Sequence, residues 1–193
     1  FYEHKAGNVD DVDAIVYSNA VSDTNPEIVR AKERRIPIYS RAEVLGMLMN
    51  NYKHSIAVCG THGKTTVTSM TSLILRDAKY EPTILVGGNV DEIKGNVEIG
   101  DTNYFVTEAC EYMDSFLHLT PNIGVLLNID SDHLDYFKDM DHIVKSFKEF
   151  VSNIPKKGII IAYGENPFVK EALKGLNNVI TYGYTDSNDF YAE

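Results

Sequence analysis

Residues 60–66 read Gly-Thr-His-Gly-Lys-Thr-Thr and follow directly on the apolar run Ser55-Ile-Ala-Val-Cys59. Two glycines three residues apart let the backbone come close to an anion. N–H groups at the start of a helix then point at it, with about half a positive charge from the helix dipole. Lys64 adds a point charge for the outer phosphates of a nucleotide, and the Thr65 hydroxyl is placed to hold Mg²⁺. Gly60, Thr61, His62, Gly63, Lys64, Thr65 and Thr66 are therefore the candidate nucleotide-binding residues. Val58 stands where the commonest phosphate loop has its first glycine, so this is a shortened variant. His62 fits equally a residue facing substrate and one filling a permissive loop position.

Two more apolar runs end in polar groups. Tyr104–Thr107 leads into Glu108-Ala-Cys-Glu111, and Ile123–Ile129 leads into Asp130-Ser-Asp-His133-Leu-Asp135. Ligands of open α/β sheets bind beyond the carboxyl ends of the strands. If the three strands are neighbours, Lys64, Thr65, Glu108 and His133 meet over one pocket. Mg²⁺ takes few protein ligands, the rest coming from phosphate and water. Thr65 with Glu108 fits one ion, and His133 with a phosphate oxygen fits a second, although imidazole is an unusual ligand for it. Lys64, Glu108 and His133 are thus the catalytic candidates. Glu111, Asp130, Asp132 and Asp135 read equally as solvated loop acids. Gly87-Gly88-Asn89 reads equally as a plain turn and as a substrate-contacting loop.

The elements that must carry these groups follow from periodicity. Asp13–Tyr17 reads as a strand, and Asn25-Pro26-Glu27 as a capped helix start. Ile36–Tyr39 reads as a strand, and Ser40-Arg-Ala-Glu43 as a capping box opening a helix with Val44, Leu45, Leu48 and Met49 at helical spacing. A boundary is expected near Asn50–Lys53, after which the alternation restarts. A helix over about 64–78 has Val67, Met70 and Ile74 as its expected inward stripe. Strands are expected at 82–86, 104–107, 123–129, 158–162 and 179–184. A helix over about 139–153 turns Ile143, Val144, Phe147, Phe150 and Val151 inward, and another lies around 167–174. Such alternation predicts a mostly parallel, doubly wound α/β sheet, preceded by part of a second open sheet.

Composition narrows the function classes. The chain has 193 residues, 44% of them hydrophobic and 24% charged, and a formal net charge of −10. That balance argues against nucleic acid as the main partner, while one cationic loop still suits a nucleotide. No apolar run approaches the ~18 residues that span a bilayer, so no membrane partner is expected. Cys59 and Cys110 lack metal-type spacing and suit a reducing, cytoplasmic compartment as buried thiols. The opening at Phe1 and the stop at Glu193 suggest a piece of a longer enzyme.

Taken together, Gly60-Thr-His-Gly-Lys-Thr-Thr66, Glu108-Ala-Cys-Glu111 with Ser115-Phe-Leu117, and Asn128-Ile-Asp-Ser-Asp-His133 resemble the ATP-dependent Mur ligases of bacterial wall synthesis. The likeness is greatest to the branch of that family that joins L-alanine to UDP-N-acetylmuramate. Upstream, Ser18-Asn-Ala20, Asn25-Pro26-Glu27 and Arg41-Ala42-Glu43 resemble the later part of its Rossmann-like UDP-binding domain, so essentially the whole chain is covered. The resemblance implies that residues 1–53 close the UDP-binding domain and 54–193 open the central ATP-binding domain. It implies ATP and Mg²⁺ as cofactors, and UDP-N-acetylmuramate and L-alanine as substrates. It also implies Lys64 on the γ-phosphate, Thr65 and Glu108 on one Mg²⁺, and His133 on another. Other parts of the ATP site and the amino-acid-binding domain would follow Glu193, leaving these 193 residues inactive alone. Several members carry a carbamylated lysine on the helix after the Asp-His pair; Lys148 occupies that helix here and reads as a solvated lysine.

Overall fold

Asn25 and Pro26 start the first long helix as their residue types predict. The Asn25 side chain accepts the Glu27 N–H at 2.9 Å, and Pro26, which has no N–H to lose, opens the helix. In this computed structural model, which describes residues 2–101 and 103–192, the chain divides into two compact units, Phe1–Met47 and Leu48–Glu193. The first holds β1 (Ile15–Tyr17), α1 (Pro26–Arg34) and β2 (Ile38–Ser40), the strands pairing in parallel with Ile15 opposite Ile38. The helix α2 (Arg41–Met49) begins with the expected capping box. Ser40 N–H donates to Glu43 Oε2 at 2.6 Å, and Glu43 N–H to Ser40 Oγ at 3.1 Å.

The second unit is built from β3 (His54–Cys59), α3 (Lys64–Asp77), β4 (Thr83–Val90), β5 (Gly95–Glu98), β6 (Tyr104–Glu108), β7 (Ile123–Leu126), α4 (Met140–Ser152), β8 (Ile159–Tyr163), α5 (Pro167–Ala172), β9 (Val179–Gly183) and β10 (Phe190–Tyr191). Its sheet runs β10-β9-β8-β7-β3-β6-β4-β5, parallel throughout except for the β4–β5 pair. From β3 the chain builds outward on one side through β4 to β5 and fills the gap with β6. It then crosses to the other side for β7 onward. β3 is therefore the switch point, where a crevice opens at the carboxyl ends. On α4 the expected residues Ile143, Val144, Phe147, Phe150 and Val151 are all buried. Phe116 stacks on Phe150 at 4.8 Å beneath them.

Four details depart from the periodicity reading. On α3, Met70 and Ile74 are 58% and 66% exposed, and the buried residues are Thr68 and Ser72. Short side chains let this helix lie close over the strand ends. The Ser72 hydroxyl satisfies itself on the Thr68 carbonyl at 2.7 Å. β4 does not stop at Gly87 but runs through Gly87-Gly88 to Val90 and turns back as β5, a strand with no alternating pattern of its own. β7 ends at Leu126 rather than Ile129, because the residues beyond it leave the sheet to bind the phosphate loop. The short edge strand β10 was not foreseen. Lys148 is exposed on α4, as a solvated lysine is.

Candidate active site

The loop between β3 and α3 takes its shape from two glycines. Gly60 has φ +143°, and a Cβ there would meet Leu127 Cβ at 3.0 Å and the Asn128 backbone at 3.2 Å. Gly63 has φ +86° and caps α3 with no side-chain hydrogen bond, which leaves the first-turn N–H groups open to an anion. The continuation of β7 clamps the loop. Thr61 N–H donates to the Asn128 carbonyl at 3.1 Å, and His62 N–H to Asn128 Oδ1 at 2.9 Å. Asn128 Nδ2 donates back to the His62 carbonyl at 3.0 Å, and Asp130 N–H to Thr61 Oγ1 at 2.9 Å. His62 itself faces outward, its Nε2 3.9 Å from Asp130 Oδ2. Asn128 thus has a role that its residue type alone did not announce.

The three strand ends do lie side by side, β3 between β6 and β7. Lys64 Nζ donates to the Gly60 carbonyl at 2.7 Å, the Thr61 carbonyl at 3.2 Å and Glu111 Oε1 at 2.9 Å. His133, held in the left-handed region at φ 51°, places Nε2 3.7 Å from the same Glu111 oxygen. Lys64 and His133 therefore converge, through a carboxylate that the residue types left unassigned. Glu111 is 2% exposed, against 15% for the lysine side chain. Its Oε2 also lies 2.9 Å from Nζ, so both carboxylate oxygens face the one ammonium. The same negative charge and, more strongly, burial push the Cys59 thiol well above its ordinary range.

Glu108 faces a different neighbour. Its Oε1 accepts the Gly87 N–H at 2.6 Å, and a Cβ on Gly87 would meet Oε2 at 3.0 Å. A Cβ on Gly88 would lie 3.5 Å from Thr65 Cγ2. The bare glycine pair of β4 is thus flanked by the Thr65 side chain and the Glu108 carboxylate, and a side chain at Gly87 would press on that carboxylate. A hydroxyl and a carboxylate beside an anion-binding loop are a donor set that suits Mg²⁺, whose other ligands come from phosphate and water. Among the described residues no group of three or more His, Cys, Asp or Glu side chains could hold a metal ion on protein ligands alone.

Over the site lies a 3-10 segment, Tyr112–His118, in which Met113 and Asp114 are both left-handed at φ 52° and 54°. Asp114 is tied down by Tyr136 Oη at 2.5 Å and by the Ser146 hydroxyl. The Asp114 carboxylate pushes the Tyr136 hydroxyl up to about 12. Two adjacent non-glycine residues in that region are costly and persist only where packing holds them.

The chain is similar to known proteins along nearly all of its length. A model of the Mur ligase middle domain matches residues 58–193. This chain belongs to the Mur ligase family. Residues 1–53 match the model described as Mur ligase family, catalytic domain. Among the family's curated members, the UDP-N-acetylmuramate–L-alanine ligase of Clostridium botulinum (strain Loch Maree) is 54% identical over 190 residues, 98% of this chain and 41% of its own length. That of Alkaliphilus metalliredigens is 50% identical over 193 residues, 100% of this chain and 42% of its own. The chain thus spans about two fifths of the length of these curated relatives. The crystal structure of UDP-N-acetylmuramate-alanine ligase MurC from Thermotoga maritima superimposes with a TM-score of 0.80 at 31% identity, over 95% of this chain and 41% of that one. The UDP-N-acetylmuramate:L-alanyl-gamma-D-glutamyl-meso-diaminopimelate ligase of Neisseria meningitides gives 0.86 at 26% identity, over 97% and 64%. The fold is the α/β fold of these Mur ligases. No helix among the described residues is long and apolar enough to cross a membrane.

Proposed function

We propose that the protein is an ATP-dependent ligase that joins L-alanine to the carboxylate of UDP-N-acetylmuramate through an acyl phosphate, in the making of peptidoglycan precursors. Identity of 54% across nearly the whole chain to a ligase of that name carries this reading. On it, residues 1–53 close the UDP-binding domain and 54–193 open the ATP-binding domain. A carboxylate is a poor electrophile, and phosphorylation turns one of its oxygens into a leaving group. In the first step the sugar's carboxylate attacks the γ-phosphorus and ADP departs. The alanine amine then attacks the acyl carbon and phosphate leaves. Because the first step brings an anion to a polyanion, charge neutralisation and alignment dominate its barrier.

The chain's own residues supply both. The loop and the first turn of α3 hold the phosphates through backbone N–H groups, with Gly60 and Gly63 allowing close approach. Lys64 neutralises charge on the γ-phosphate. Thr65 and Glu108 would hold Mg²⁺, and His133 a second ion; bound there, the metal neutralises phosphate charge and orients the oxygens. The reaction is placed in the cytoplasm, where the nucleotide-linked sugar and ATP are both at hand.

The test is phosphate release by the full-length protein with muramyl acceptors and amino acids varied. Release that needs both UDP-N-acetylmuramate and L-alanine is expected. Preference for a peptide over alanine would move the protein to the sister ligase of free peptides, and nucleotide binding without release would make it a binding module. Lys64→Ala should abolish turnover. Because it strands the buried Glu111 carboxylate it should lower the melting temperature as well, so the assay is run where circular dichroism shows the variant folded. Retained ligation in that variant would refute the lysine's role.

A further inference from the structure

We infer that Glu111 is a latch on Lys64, a positioning residue that holds the ammonium inside the loop and yields it to the nucleotide phosphates when they arrive. The inference rests on the reading that Lys64 binds phosphate. It begins from a count of donors. An ammonium has three N–H bonds, and those of Lys64 are committed to the carbonyls of Gly60 and Thr61 and to Glu111 Oε1. A phosphate oxygen can reach the lysine only by exchange with one of the three.

Two of the partners cannot move. They are backbone carbonyls of a loop pinned to Asn128 and Asp130 through Thr61 and His62. The third is a side chain with rotatable bonds and the same sign of charge as the phosphate. Both Glu111 oxygens lie 2.9 Å from the one ammonium, and no second hydrogen bond among the described residues holds Oε2, so giving up the lysine is the one exchange the side chain must make. His133 Nε2, 3.7 Å from Oε1, gives the released carboxylate a neighbour. The backbone that carries Glu111 is fixed by the anchored left-handed pair Met113–Asp114. Release is therefore a rotation of the side chain rather than an opening of the loop. The consequence is a tax on nucleotide affinity, set by how tightly the carboxylate holds the ammonium.

The experiment is calorimetric titration of the full-length protein with a non-hydrolysable ATP analogue and Mg²⁺. Four proteins are compared: the unsubstituted enzyme, Lys64→Ala, Glu111→Gln and the double variant. Lys64→Ala should weaken binding, whereas Glu111→Gln should tighten it about tenfold, the scale of one charged hydrogen bond. The gain should vanish in the Lys64→Ala background, because a latch acts only through the lysine. Binding unchanged by Lys64→Ala would sink the phosphate-lysine reading itself. Weakened Lys64→Ala binding with no gain from Glu111→Gln would sink the latch alone. So would a gain that survives loss of the lysine, since that is simple repulsion between carboxylate and phosphate. Should the variants fail to fold, crystal structures of the unsubstituted enzyme decide. The 2.9 Å pair should be present without the analogue and broken with it. A pair that persists while the analogue is bound overturns the latch.

Discussion

At the residue scale the candidate site depends on which atoms are missing as much as on which are present. Gly87 and Gly88 are adjacent on β4, yet a methyl group would meet different surroundings at each. At Gly87 it would press on both oxygens of Glu108, at 3.0 and 3.1 Å, and at Gly88 it would make an ordinary 3.5 Å contact with Thr65 Cγ2. The obstacle at Gly87 is the end of a flexible side chain, so Gly87→Ala should move the carboxylate rather than unfold the sheet. A displacement of about 1 Å in a positioned group can cost on the order of 100-fold in rate, and the few tenths of an ångström needed here should cost about tenfold or less. Gly87→Ala should therefore lose turnover by about that factor at a nearly unchanged melting temperature, with Gly88→Ala close to normal as its control. Equal losses in both variants, or a normal rate in Gly87→Ala, would remove Glu108 from the reaction. The placement of the lysine and threonines, at the start of α3 directly after the glycine loop, was legible in the sequence because spacing alone sets it. Glu111 was not, since a carboxylate three residues beyond a strand end looks the same whether it is solvated or folded back onto Lys64.

At the scale of elements, the loop is held by the strand beside it rather than by its own sequence. Asn128 exchanges two hydrogen bonds with His62, and both ends of that clamp lie at the carboxyl edge of the sheet. Asn128→Ala removes both. Each such bond contributes about 0.5–1.5 kcal/mol net, so a fall in stability of about 1–3 kcal/mol is expected in denaturant titrations. Nucleotide binding should weaken with it, because N–H groups aimed at the phosphates lose their fixed direction. Full nucleotide affinity in this variant would show that the glycines shape the loop unaided. Caps and boundaries were legible where the determinant is local, as at Asn25-Pro26 and Ser40–Glu43. The amphipathic α4 was legible because its buried stripe is wide and apolar. α3 was misread because periodicity weighs Met70 and Ile74 above Thr68 and Ser72, whereas the close approach of that helix to the sheet selects small side chains. The β4–β5 hairpin escaped because two glycines inside a strand look like its end. Within the strand Gly87 donates its N–H to Glu108, a contact made only in three dimensions.

At the scale of the whole molecule the two compact units are unequal. Among the described residues of the first, the buried apolar side chains are Val9, Ile28 and Ala31. Its sheet is one parallel pair of three-residue strands. The second has an eight-stranded sheet, with Phe147, Phe150, Leu126 and Ile160 among the side chains buried in its core. A domain of about 60 residues is already marginal, and below about 40 a disulfide, metal or partner is usually needed to offset the entropy of ordering. Residues 1–47 hold neither cysteine, and expressed alone they should be unfolded, with random-coil amide shifts and no cooperative melt. Residues 48–193 expressed alone should melt cooperatively and keep the far-ultraviolet signal of a mixed α/β sheet, because their core and all contacts of the phosphate loop lie within them. A cooperative transition in the short piece, or a molten long one, would show that stability is shared in a way the burial pattern does not contain. The asymmetry also bears on mutation. Damage confined to the first unit should leave the Lys64–Glu111 pair and the clamp on His62 intact, so in the separately folded 48–193 piece nucleotide contacts can be measured apart from everything upstream.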